Sequence, residues 1–288
     1  QDALDLIEFA NGSTDTEWGA LRASMGHPEP FNHKYLGIGN ENWDYPYWSR
    51  FDVLYKAVKA AHPEIEIISS AGPVAEGALP SNAWRTIRQK YPDTIVDEHY
   101  YMGGDWFLNH VDRYDKYPRT TRVFVGEYAA HEAAQSNGRR PNNLYSALCE
   151  AAYMTGLERN SDVVVMASYA PLLARDGMQQ WTPDLIWFNA REVLLTPNYY
   201  VQQMFANTVG DQVVVSTLNS GNERLYHVVT RTDDKLYVKL VNVSADEEPL
   251  TIDLANVPDG MATFTRLTGD KKAVNTFTRK EQIVPQKD

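Results

Sequence analysis

Two segments of this chain end in a glutamate behind a glycine: Gly39-Asn40-Glu41 and Gly126-Glu127-Tyr128. Each closes a run of small and apolar residues with the texture of a buried strand. Two carboxylates facing one pocket are the minimal apparatus for cleaving a glycosidic bond. One must be protonated to assist the leaving oxygen, and the other ionised to attack carbon or activate water. Their surroundings must split their pKa values for both states to coexist near neutrality. Taken singly, a loop glutamate is a solvated surface group in roughly nine cases of ten. Two of them, both at strand ends among small neighbours, weigh against that reading.

A third polar segment, Asp97-Glu98-His99, ends another apolar run. It is not expected to hold a metal, because one strand tripeptide sends alternate side chains to opposite faces and metal sites need converging ligands. A histidine or tyrosine that orients a carboxylate by hydrogen bond fits better, alongside a histidine simply satisfied within a sheet. Gly103-Gly104 lacks the spacing and the lysine of a phosphate loop, and no GxSxG elbow is present. No cofactor is expected. Tyr45, Tyr47, Trp48, Trp106, Trp181 and Trp187 could stack on a sugar ring, although any single one is more often a packing residue.

The elements that must position these groups alternate regularly. The strand-like "KYLGIGN" precedes a helical pattern over Phe51 to His62. "IEIISSAG" precedes "SNAWRTIRQKY", with Ser81 as its expected N-cap, and "TIVDEHYY" precedes "DWFLNHVDRYDKY". "TRVFVGEY" precedes "NNLYSALCEAAYMTGLERN", and "DVVVMASYA" is followed by an irregular stretch and then "PNYYVQQMFAN", with Pro197 as a first-turn proline. Leu4 to Ala10 and Trp18 to Met25 read as two helices ahead of all this. Apolar strands alternating with helices predict an α/β fold with a parallel sheet covered by helices. The reactive residues gather at the strands' C-terminal ends, where both parallel barrels and doubly wound sheets bind ligands.

Beyond about Thr208 the pattern becomes short strands split by turn residues, including Asp233-Asp234 and Pro258-Asp259-Gly260. Leu236, Val238 and Leu240 alternate, as do Leu250, Ile252 and Leu254. Val241 and Val243 continue in the opposite phase, which predicts a bulge or a strand buried on both faces. The expected architecture is a small antiparallel β-sandwich over 208–288 behind a catalytic domain over 1–207.

The 288 residues carry a net charge of −11, which argues against nucleic acid or an anionic membrane surface as partner. No apolar run reaches the length of a membrane span. Cys149 is the single cysteine and fits a small buried apolar role. The start QDALDLIEFA is already in a helical pattern, so the chain is expected to begin inside a longer protein.

Together, "YLGIGNENWD", "VDEHYY", "VFVGEYAAH", "ASYAPLLA", "WTPDLIWFN" and "TPNYYVQQMFANTVGD" resemble glycoside hydrolase family 51, the α-L-arabinofuranosidases, over nearly the whole chain and in family order. The resemblance implies a (β/α)8 TIM-type barrel with a C-terminal β-sandwich, here partial and beginning near strand four. It implies Glu41 as general acid/base, Glu127 as nucleophile and Asn40 as the amide on the sugar's 2-hydroxyl. Tyr100 matches the tyrosine near the nucleophile; His99, Trp43 and His131 complete the implied substrate contacts. His131 departs from the tryptophan of some members, and the place of a family glutamine falls near Pro183 and Asp184 without a clear match. The implied activity is retaining hydrolysis of terminal arabinofuranosyl groups on arabinan- or arabinoxylan-type glycans, by a secreted or periplasmic enzyme. The alternatives are another two-glutamate barrel acting as xylosidase or glucanase, and a non-catalytic fragment needing its N-terminal half. A strand-four edge without its neighbour predicts pairing with that N-terminal part or homo-oligomerisation.

Overall fold

The computed structural model describes residues 1–255 and 261–287, which fall into two compact units. Residues 1–100 and 120–125 form the first. It opens with helices α1 (Asp2–Asn11) and α2 (Glu17–Ser24), whose joint is held by a side chain no hydrophobic pattern reveals. Arg22 is fully buried. Its guanidinium donates to the carbonyls of Phe9 (2.7 Å), Gly12 (2.8 Å), His27 (3.0 Å) and Pro28 (2.9 Å). The planar fork of an arginine can bind several carbonyls at once, so one residue ties the end of α1 to the segment leading toward the sheet.

Next come β1 (Tyr35–Ile38), α3 (Asp44–Ala61), β2 (Glu66–Ser70), α4 (Ala78–Lys90) and β3 (Ile95–Gly103). β1 pairs with β2 in parallel from Tyr35↔Glu66 to Ile38↔Ser69, and β2 with β3 from Ile68↔Ile95. Val96 N–H donates to Arg122 O, which brings in the start of β4 (Val123–His131). Within this unit the order is β1-β2-β3-β4. Ile7, Ile38, Phe51, Val58, Ile65 and Ile67 make the core, and Trp48, Tyr55 and Tyr91 pack their rings around Phe51. Ser81 is not the N-cap of α4. The helix begins at Ala78 behind Gly77, whose φ of +98° suits glycine, and Ser81 Oγ instead donates to Gly77 O at 2.7 Å.

The second unit holds residues 101–119 and 126–288, of which all but 256–260 and 288 are described. It contains α5 (Gly104–Asn109), the distal part of β4, α6 (Leu144–Arg159) and β5 (Val164–Tyr169). β5 lies beside β4, with Ala170 N–H on Tyr128 O and Ser168 Oγ on Gly126 O (2.6 Å). α6 is apolar nearly all round and correspondingly buried along most of its length. Cys149 lies within it, fully buried, and burial pushes its thiol up to about 12, which makes it inert. The irregular stretch folds as a small sheet of β6 (Leu173–Arg175), β7 (Ile186–Phe188) and β8 (Val193–Leu195). α7 (Pro197–Ala206) starts with Pro197, as its position predicts, and Thr196 caps it through Tyr199 N–H at 3.1 Å.

The C-terminal strands are β9 (Gln212–Val213), β10 (Leu225–Arg231) and β11 (Leu236–Asn242) in one antiparallel sheet, and β12 (Thr265–Arg266) with β13 (Gln286–Lys287) in another. Two expectations are corrected here. The β10–β11 register runs unbroken from Leu225↔Asn242 to Arg231↔Leu236, so this ladder has no bulge among the described residues. The better covered face is the opposite phase, Lys239, Val241 and Val243, while Leu240 is exposed. Lys239 reaches this face because its ammonium meets the Glu158 carboxylate and the Phe205 ring, so a charged residue hides the true inward phase. Residues 248–255 are not a strand. Leu250, Ile252 and Leu254 are exposed, and the segment finds no ladder partner among the described residues, without which alternation cannot stabilise a strand. The turn expected at Pro258-Asp259-Gly260 lies outside the described residues.

Candidate active site

In the first unit the chain leaves β1 through three left-handed or turn residues. Gly39 has φ +88° and Glu41 φ +52°. Asn42 Oδ1 accepts from Asn40 N–H at 2.9 Å and closes the turn. A Cβ on Gly39 would stand 2.5 Å from that same oxygen and 2.8 Å from the Tyr47 ring, so glycine is required there. Glu41 has no such freedom, and a positive φ on a residue with a side chain costs of order 1–3 kcal/mol, a strain characteristic of functional positions. The turn is anchored from below: buried Tyr47 donates to Ile38 O (2.8 Å) and accepts from Ser70 N–H (2.9 Å). Asn40 and Trp43 are exposed at the mouth, with Trp43 at the start of α3. Ile38, Gly39, Asn42, Trp43, Tyr47 and Arg50 are among the residues that line a cavity of about 510 Å³ there.

The Glu41 carboxylate is held by His99. Nδ1 of the imidazole lies 2.9 Å from Glu41 Oε1, and Nε2 lies 3.0 Å from Asp97 Oδ2. His99 is 2 % exposed. It therefore takes the carboxylate-orienting position among the roles read from sequence. Alternation along β3 puts Asp97, His99 and Tyr101 on one face and Glu98 and Tyr100 on the other. Glu98 is buried and accepts from Trp84 Nε1 at 2.7 Å and from the Tyr100 hydroxyl.

In the second unit the Tyr101 hydroxyl donates to Glu127 Oε2 at 2.5 Å. This corrects the assignment of Tyr100 to the nucleophile region. Tyr100 is fully buried with its hydroxyl on Glu98, because in a strand only alternate residues share a face with His99. Counting by twos from His99 is the signal that identifies Tyr101. His131, at the end of β4, stacks on Tyr101 with centroids 5.5 Å apart. Burial, reinforced by the charge of Arg140, pulls its pKa down to about 4, so it stays neutral near physiological pH. Tyr101→Phe is expected to lower kcat by tenfold or more with KM little changed, while Tyr100→Phe lowers the melting temperature instead. Parallel kinetics and melting curves of the two variants check this.

Behind β4 sits a buried polar network that the sequence does not announce. Glu150 on α6 is completely buried; its Oε1 accepts from Ala130 N–H and its Oε2 from Asn198 Nδ2, both at 2.8 Å. Asn142 joins Asn198 to the Tyr169 hydroxyl. Burial pushes the Glu150 carboxyl up to about 8. Asp184, near the unmatched family glutamine, is 3 % exposed, and burial raises it to about 7. Its main-chain N–H is held by Asn142 Oδ1 at 3.3 Å.

A parallel sheet interleaved with helices, with one glutamate just beyond β1 and another within β4, each hydrogen-bonded to a β3 side chain, is an arrangement found in parallel-sheet enzymes. Residues 126–288 match the family described as Alpha-L-arabinofuranosidase C-terminal domain, and residues 1–119 match the Alpha-L-arabinofuranosidase 1 domain. The chain belongs to the α-L-arabinofuranosidase family, glycoside hydrolase family 51. It is 49% identical over 218 residues to an extracellular exo-α-L-arabinofuranosidase of Streptomyces chartreusis, covering 75% of this chain and 25% of that protein. It is 36% identical to α-L-arabinofuranosidase 2 of Arabidopsis thaliana, over 99% of this chain and 42% of the relative. An arabinose-bound family 51 α-L-arabinofuranosidase structure superposes with a TM-score of 0.88 at 35% identity, covering 100% of this chain and 47% of that one. The chain thus spans between a quarter and about half the length of these relatives. Their names do not favour the xylosidase or glucanase alternative.

Proposed function

We propose that this chain carries the catalytic glutamates of a retaining α-L-arabinofuranosidase. Glu127 attacks the anomeric carbon while Glu41, protonated, gives its proton to the departing oxygen. Glu41 then takes a proton from the water that releases the sugar from Glu127. The single observation that carries the reading is the matched settings of the two carboxylates. Glu41 follows β1 and Glu127 lies within β4, and each meets a side chain of β3: Glu41 that of His99 and Glu127 that of Tyr101. A gripped carboxylate loses little orientation entropy on reaching the transition state.

In this reading Asn40 holds the sugar's 2-hydroxyl, and Trp43 and His131 are further substrate contacts. The parallel sheet is part of a (β/α)8 barrel, the antiparallel sheets are part of a β-sandwich, and the substrates are arabinose-containing glycans met outside the cell. Among the described residues no helix is long and apolar enough to cross a membrane. The test is the whole protein's kcat/KM on an aryl α-L-arabinofuranoside against the matching aryl xyloside. A preference of at least about a hundredfold for the arabinoside is expected, and a preference for the xyloside overturns the substrate assignment.

A further inference from the structure

The chain Asp97–His99–Glu41 lies wholly within the first unit and is made of two contacts, 3.0 Å at Nε2 and 2.9 Å at Nδ1. We propose that Asp97 is a positioning residue that, through His99, obliges Glu41 and His99 to keep one proton between them. The inference rests on Glu41 being the acid/base.

The argument is a proton inventory. Asp97 is 14% exposed at its side chain, and its buried Oδ1 has no hydrogen-bond partner among the described residues. A buried carboxylate needs a donor, and the ring N–H at Nε2 is the donor its Oδ2 meets. With that proton fixed, Nδ1 of a neutral His99 presents a lone pair to Glu41 Oε1. An ionised Glu41 is repelled by a lone pair at 2.9 Å, so in the resting enzyme a second proton sits in that contact, either on Glu41 or on Nδ1, and the carboxylate left after the acid step is the state driven to take a proton back. The second proton is the one that the acid step consumes: it passes to the leaving oxygen as the glycosidic C–O bond breaks, leaving Glu41 as carboxylate. Water returns it when its oxygen bonds to the anomeric carbon and the bond to Glu127 breaks. The total of protons is the same at the end of the cycle as at the start.

Replacing Asp97 by asparagine removes the obligation. The amide can donate to Nε2, the imidazole proton moves to Nδ1, and a neutral His99 then satisfies an ionised Glu41 with no stored proton. A carboxylate fixing the tautomer of a neighbouring histidine is worth up to about 10⁴-fold in another hydrolytic site. The loss here should fall only on substrates that need a proton at the leaving group.

The experiment compares kcat/KM of the whole protein and its Asp97→Asn variant on two arabinofuranosides. One carries a dinitrophenyl group, which leaves without protonation; the other carries a methyl group, which does not. The expected result is a loss of about a hundredfold on the methyl glycoside with the dinitrophenyl glycoside held within about threefold. The ratio of the two rates is independent of the fraction of variant that folds, so it decides the matter even if the variant is less stable. Equal losses on both substrates, or none on either, overturn the proposal. Glu41→Gln separates the two levels. If it too shows no leaving-group selectivity, the assignment of Glu41 as acid/base is what fails; if it does while Asp97→Asn does not, only the role of Asp97 fails.

Discussion

Glu127→Ala in the whole protein is expected to lower turnover of an aryl arabinofuranoside by about four orders of magnitude or more, the scale seen when covalent enzymes lose their nucleophile. The physical reason is that the reaction then has no anion on the face of the sugar opposite the leaving group, and the developing oxocarbenium ion meets neither a bond nor a charge. Binding should survive better than turnover, because the hydroxyl groups of the sugar are held by other side chains. Tyr101, which donates to Glu127 Oε2, is left with a hydroxyl and a gap in front of it. A small anion such as azide should enter that gap and restore turnover, yielding the glycosyl azide of inverted configuration. Product configuration by NMR is the measurement. Activity close to wild type in the alanine variant, or rescue with retention, would refute the assignment of Glu127 as nucleophile.

The second large effect is on stability and runs against the usual acid lability of proteins. Glu150 has its pKa raised by burial to about 8, and Asp184 by burial to about 7. In the unfolded chain both ionise at ordinary carboxylate values. Between those values and the raised ones the folded state binds more protons than the unfolded state, so stability falls as pH rises. The contribution is fully present below the unfolded values, is lost through the window from 3.8 to about 7 for Asp184 and from 4.5 to about 8 for Glu150, and is flat above it. Each pH unit in the window costs at most about 1.4 kcal/mol per group. Urea melts at pH 5 and pH 8 should therefore differ in midpoint, with the acidic sample the more stable. Glu150→Gln keeps an oxygen for Ala130 N–H but cannot ionise, so it should flatten much of the slope. A slope unchanged in that variant would show that the network does not hold the proton.

Much of this molecule was legible beforehand, and the parts that were not share a cause. The five parallel strands, the helices between them, Pro197 at the head of α7 and Cys149 as a buried apolar group all follow from periodicity and from local backbone chemistry. The choice of Tyr100 over Tyr101 failed because both are strand tyrosines beside polar neighbours, and only a partner across space tells one face from the other. Lys239 misled in the same way: a cation placed inward by Glu158 inverts the apparent phase of β11. Residues 248–255 show the converse, an alternation with no strand to pair against among the described residues.

The amino-acid sequence by itself determined the strand-helix alternation and put Glu41 just beyond a strand, because hydrophobic period and turn chemistry act between near neighbours; β4 runs on past Glu127 to His131, further than the apolar run suggests. Tertiary structure alone decided that Asp97 reaches His99 and His99 reaches Glu41, that Tyr101 rather than Tyr100 serves Glu127, and that Glu150 sits beneath β4. Those are contacts between residues distant in the chain, or choices between two faces of one strand. Hydrogen bonds and buried charge are set by which groups meet after packing, and no local pattern encodes that meeting.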